Sequence, residues 1–111
     1  MITSAKEIFE DQGFLDPFQL LNHHECQQLI QDLRREMANP PVDWDKGYAI
    51  SSRSFFEIGH HPVLIQLLRE LIGKDILLWG ASLVIKHAGA IHPWHCDIES
   101  SAIDAGKTVS V

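Results

Sequence analysis

The order of patterns along the chain predicts an α+β fold, with helices first and strands after them. Apolar residues recur at helical spacing in 23–38 and again in 62–73. From Asp75 onward the segment "DILLWGASLVIKH" is rich in Leu, Ile and Val, which favours strands. The ending "TVSV" alternates polar and apolar residues, as a half-buried strand does.

Each element has its own signal. "AKEIFEDQ", residues 5–12, reads as a short helix that Gly13 stops. "GFLDPF" is extended, since Pro17 disfavours helix. Asn22 stands at an N-cap with Glu25 three positions on, an approximate capping box. The helix behind it places Cys26, Leu29, Ile30, Leu33 and Met37 at helical spacing and ends at Asn39-Pro40-Pro41. Residues 42–59 show no period and read as a long loop, with one strand at most. His60-His61-Pro62 opens the next helix, with Pro62 in its first turn and Gly73 as its stop. "DILLWGASLVIKH" then reads as one or two strands, "AGA" as a turn and "HPWHCDIE" as a further strand entered at Pro93. "KTVSV" is a strand barely begun, so the chain looks cut through a larger domain.

A length of 111 residues suits one small domain. The formal net charge of −6 argues against binding nucleic acid or an anionic membrane. The apolar runs are too short to span a bilayer, and "MITSAKEIFEDQ" has no apolar core behind a basic start. Cys26 and Cys96 lack framework spacing and read as reduced thiols. The expectation is a cytoplasmic protein that binds neither nucleic acid nor membrane.

Chemistry concentrates in "IHPWHCDIE", residues 91–99. On a strand, side chains two apart share a face, so His95 and Asp97 project together and Cys96 faces away. One more histidine would complete the two-histidine, one-carboxylate set characteristic of non-haem Fe(II) oxygenases. His-x-Asp is a common pattern by itself, and a solvated surface pair is its blandest reading. His92, three positions from His95, faces away on a regular strand. His87 lies across the turn, His23 and His24 are exposed at a helix start, and His60 and His61 cap or pack. The third ligand is therefore expected downstream of Val111.

With those residues in view, the chain resembles the phytanoyl-CoA dioxygenase family of Fe(II)- and 2-oxoglutarate-dependent oxygenases. The resemblance is carried by "FEDQGFL", "LNHHECQQLIQDL" and "HPVLIQLLRELIGKDILLWGASLVIKHAGAIHPWHCD". It covers most of the chain and is weakest in 38–58. It implies a double-stranded β-helix, a jelly-roll or cupin-like barrel, with N-terminal helices packed on one sheet. Residues 1–74 would be helical support and 75–111 the first barrel strands of an incomplete domain. His95 and Asp97 match the family's first two iron ligands. The implied cofactors are Fe(II), 2-oxoglutarate as cosubstrate, and ascorbate as accessory reductant. The family's distal histidine and its 2-oxoglutarate-binding arginine have no counterpart here, so this chain alone is expected to be inactive. Cys96 stands where the family often has glutamine, which removes an amide contact to the cofactor.

A hairpin around "AGA" that pairs His87 with His92 would set Val84 opposite His95 and Ser82 opposite Asp97. Lys86 would share that face, opposite Pro93, placing Lys86 and Ser82 as cosubstrate contacts. Lys86 also fits a lysine snorkelling from a strand end. The leading expectation is a dioxygenase hydroxylating a small organic molecule, with self-association through an exposed sheet edge. The alternatives are a cupin-type metal enzyme of another class and a non-catalytic jelly-roll binding module.

Overall fold

A computed structural model describes residues 3–39, 46–95 and 108–111. These residues fold into five helices: α1 (Ala5–Gln12), α2 (His23–Met37), α3 (Tyr48–Ser51), α4 (Arg53–Gly59) and α5 (Pro62–Ile72). α1 packs against α5, α2 against α4, and α3 against α4.

Local chemistry sets most of the boundaries. Ser4 caps α1: its side chain accepts the Glu7 N–H, and the Glu7 carboxylate accepts the Ser4 N–H at 2.7 Å. Gly13 closes the helix with φ at 82°, a left-handed conformation that a side chain would strain, and its N–H reaches the Phe9 carbonyl. Asn22 and Glu25 repeat the reciprocal cap at the start of α2. At α5 the His61 side chain accepts the Val63 N–H, Pro62 opens the first turn, and Gly73 ends the helix.

The inner stripe of α2 runs through Cys26, Leu29, Leu33 and Glu36, all half-buried. Its last member is a carboxylate because α4 meets it with hydroxyls. Ser52 Oγ and Ser54 Oγ both donate to Glu36, the second at 3.1 Å to Oε1. Ser52 also accepts the Phe55 N–H, so one buried serine caps α4 and bonds α2. The apolar core of the described residues is small: Ala49, Leu64 and Leu71 are buried. Leu64 and Leu71 stand seven apart on one face of α5.

Two expectations are corrected here. Residues 42–59 were expected to form a loop, yet α3 and α4 lie within that span. Elements of four and seven residues are too short for a 3.6-residue period to show. The visible signals were Ser52 as a cap and Arg53 four residues before Glu57, which pair at 2.6 Å.

The larger correction is to the fold class. The described residues are helical, and they do not form an α+β fragment of a jelly-roll or double-stranded β-helix. Among the described residues the sole β pairing is an isolated parallel bridge between Gly47 and Ala81, made by the Ala81 N–H to the Lys46 carbonyl at 3.1 Å. The described parts of 75–111 form no barrel strands, and residues 82–87 make no ladder with 90–95. The physical reason is that β-rich composition records a preference, whereas a strand exists only when a second backbone pairs with it. What holds this segment is packing: Leu78 lies so close to Gly59 that a Cβ there would sit 2.9 Å from Leu78 Cδ2. Its other apolar side chains largely face water, with Leu77 84 % exposed and Ile91 88 % exposed.

Replacing Glu36 with Ala leaves two buried hydroxyls without their acceptor. We expect stability to fall by about 1–3 kcal/mol, with a smaller loss for Glu36→Gln, whose amide oxygen still accepts. Urea unfolding followed at 222 nm measures both, and an unchanged midpoint for Glu36→Ala would show that this junction carries no weight.

The α1 cap has a pH signature. Hydrogen bonding from the Ser4 N–H, and then from its side chain, holds the Glu7 carboxyl below its usual range. A folded-state value lowered in this way stabilises the helix above the unfolded value, and that contribution is lost as pH falls through the lowered one. Acid titration of Glu7 by NMR should give a midpoint below that of a solvated glutamate, and Ser4→Ala should move it up. An unmoved midpoint in Ser4→Ala would contradict the side-chain part of the cap, since alanine keeps the backbone N–H.

Candidate metal site

The candidate site is built on the irregular segment after α5. Its turn is local: the Ala90 N–H donates to the His87 carbonyl at 3.0 Å, and Gly89, with φ at 79°, takes the third position. A positive φ there suits a type II turn and favours glycine. The "AGA" turn is therefore present, while the strands expected on either side of it are not.

Beyond the turn, Pro93 has its backbone fixed by its ring, and its carbonyl bonds the side chain of His95. The His95 Nδ1 to Pro93 O distance is 2.9 Å. A carbonyl only accepts, so a neutral His95 carries its proton on Nδ1 and its lone pair on Nε2. This is the orientation that second-shell carbonyls give to metal-binding imidazoles.

His92 lies in edge contact with His95, with ring centroids 4.8 Å apart and planes at 78°. That contact corrects the expectation that His92 faces away, which assumed a regular strand. Off the strand, residues three apart can meet, and Pro93 between them was the one hint in the sequence.

The other expected site residues that are described, Ser82 and Lys86, are not paired with this segment by the described residues. Asp97, with Cys96, lies outside the described residues. Ser82 is half-buried and Lys86 exposed, and the ladder that was to set them across from Asp97 and Pro93 is not formed by the described residues. His23 and His24 are exposed at the start of α2, as expected. His61 caps α5, while His60 stacks on Phe56 at 4.0 Å and bonds its carbonyl through Nδ1. Among the described residues no group of three or more His, Cys, Asp or Glu is placed to hold a metal ion.

A groove of about 490 Å³, lined by Asp32, Arg35, Glu36, Arg53, Ser54 and Glu57, lies at the α2–α4 junction. Its polar groups are engaged within the seam: Arg35 bonds Asp32, Arg53 bonds Glu57, and the Glu36 carboxylate accepts the serine hydroxyls. The bond from Glu57 raises the Arg53 guanidinium further above its usual value. This arrangement reads as a solvated structural seam.

No family model, curated protein or solved structure matches the chain. Among the described residues no helix is long and apolar enough to cross a membrane.

The tautomer of His95 is directly measurable. Long-range ¹H–¹⁵N spectra recorded where the ring is neutral should show a protonated Nδ1 and an unprotonated Nε2. The opposite pattern would remove the geometric argument for His95 as an Nε2 ligand.

Proposed function

We propose that this chain carries metal ligands of a non-haem Fe(II)- and 2-oxoglutarate-dependent dioxygenase acting on a small organic molecule. The observation that carries the reading is the 2.9 Å contact of His95 Nδ1 with the Pro93 carbonyl, which orients the ring two positions before Asp97. The similarity of "HPWHCD" and the segments before it to the phytanoyl-CoA dioxygenase family supports the same assignment. His95 fits an imidazole ligand. The barrel wall that houses such a site in that family is no part of the proposal.

Fe(II) and 2-oxoglutarate, when bound, would supply O2-dependent chemistry in which one oxygen atom enters succinate as CO2 leaves and the other enters a substrate C–H bond. The chain's own part is to present ligands. His95 would supply an imidazole nitrogen, and the hydrogen bond to the Pro93 carbonyl that holds its ring reduces the entropy lost on coordination. Asp97 brings the carboxylate charge.

A second reading is a metal-binding module without catalysis. Exposure favours it: Trp94 is 104 % exposed and His92 and His95 are both exposed, whereas oxygen chemistry needs a water-poor pocket.

Succinate formation from 2-oxoglutarate by the natural gene product, with Fe(II) and ascorbate, separates the two. The dioxygenase reading expects turnover that falls roughly a hundredfold in Asp97→Ala with the circular dichroism unchanged, and only mildly in Cys96→Ala. Metal binding with no succinate above the protein-free blank would leave the module reading. Turnover near the parent's in Asp97→Ala would sink the ligand assignment.

A further inference from the structure

The joint between α4 and α5 holds two adjacent histidines whose ring nitrogens play opposite roles. We infer that His61 makes this joint a pH-sensitive switch: a proton taken up by its ring removes the acceptor that caps α5, while the neighbouring His60 contact survives. The inference involves neither His95 nor Asp97 and stands apart from the proposed function.

Hydrogen-bond chemistry fixes the two rings. His60 Nδ1 lies 2.7 Å from the Phe56 carbonyl, which only accepts, so this nitrogen carries a proton. His61 Nδ1 lies 3.3 Å from the Val63 nitrogen, whose N–H only donates, so this ring nitrogen keeps its lone pair. A neutral His61 therefore carries its proton on Nε2. An imidazolium has an N–H at both positions. His60 thus keeps its bond in either charge state, and His61 keeps its bond only when neutral.

The helix ends act in the same direction. His60 is the C-cap of α4, where the last carbonyls favour positive charge, and its ring stacks on Phe56. His61 is the N-cap of α5, where the first N–H groups oppose positive charge. No carboxylate offsets that cost among the described residues. Arg53 and Glu57 on α4 pair with each other. α1, which packs against α5, carries Lys6, Glu7, Glu10 and Asp11, and none of them forms an ion pair with His61. Arg69 and Glu70 lie at the other end of α5, and the segment that meets α4 at Gly59 is uncharged from Ile76 to Ile85.

The cap matters to more than the helix end. Pro62 has no N–H, so the ring serves the first donor that α5 possesses. The same turn carries Leu64, one of the three buried apolar side chains of the described residues. Uncapping α5 therefore loosens the turn that seats Leu64 in the core.

The test compares the 111-residue chain with His61→Asn, whose side-chain oxygen caps a helix and does not titrate. Urea unfolding at about pH 8 and about pH 5 brackets the range in which imidazoles gain a proton. The bond belongs to the neutral ring, so its contribution is present at the higher pH and lost at the lower. The ratio of the two folding constants should shift by roughly threefold or more in favour of His61→Asn at the lower pH. Carboxylates and the other histidines are common to both proteins and cancel in that ratio. His60→Ala should keep the parent's loss on acidification. A second readout uses the parent alone. Long-range ¹H–¹⁵N spectra of the neutral rings should show Nδ1 protonated in His60 and unprotonated in His61, with the Val63 amide resonance following the His61 titration. Parallel pH dependence in the parent and His61→Asn, or the same tautomer in both histidines, would overturn the switch.

Discussion

The Glu36 carboxylate is the point on which the helical body turns. It ends an otherwise apolar stripe on α2 and accepts the hydroxyls of Ser52 and Ser54. α2 meets the other helices chiefly at α4, so this carboxylate joins α2 to them. Ser52 in turn caps α4 and separates it from α3. A charged group half-removed from water is tolerable only with donors aimed at it, and the two serines supply them. With just Ala49, Leu64 and Leu71 fully buried among the apolar side chains of the described residues, such polar joints weigh heavily in the packing.

The segment after α5 obeys a different constraint. Its residues are those that strands favour, yet apart from the bridge at Ala81 its described backbone is not engaged in β pairing. Where no neighbouring backbone satisfies those groups, water does, and the side chains lose the alternation that a ladder imposes. Two consequences follow. Leu77, Trp79, Val84, Ile85, Ile91 and Trp94 remain exposed in this region. And His92 and His95, which a strand would send to opposite faces, come into contact.

That contact alters how the chemistry of "HPWHCD" is read. On a strand, the pair to consider is His95 with Asp97. In the observed conformation, the neighbour within the described residues is His92, and Pro93 serves as both spacer and hydrogen-bond acceptor. Both histidines are exposed, which sets this segment apart from an enclosed catalytic pocket.

Sequence alone determined what depends on near neighbours. The cap at Asn22, the stop at Gly13, Pro62 in the first turn of α5 and the turn at Gly89 are local, because each is a side chain or a φ angle satisfied within four residues. His95 could be named as a candidate ligand from its chemistry and its spacing to Asp97. What needed the tertiary structure was everything that depends on a distant partner. Glu36 reads as a surface residue until Ser52 and Ser54 are brought to it, sixteen and eighteen positions away. The run from Asp75 to His95 reads as strand, yet among the described residues its backbone pairs only through the bridge at Ala81. His92 reads as turned away from His95 under the same assumption, and only the unladdered backbone put the two rings together.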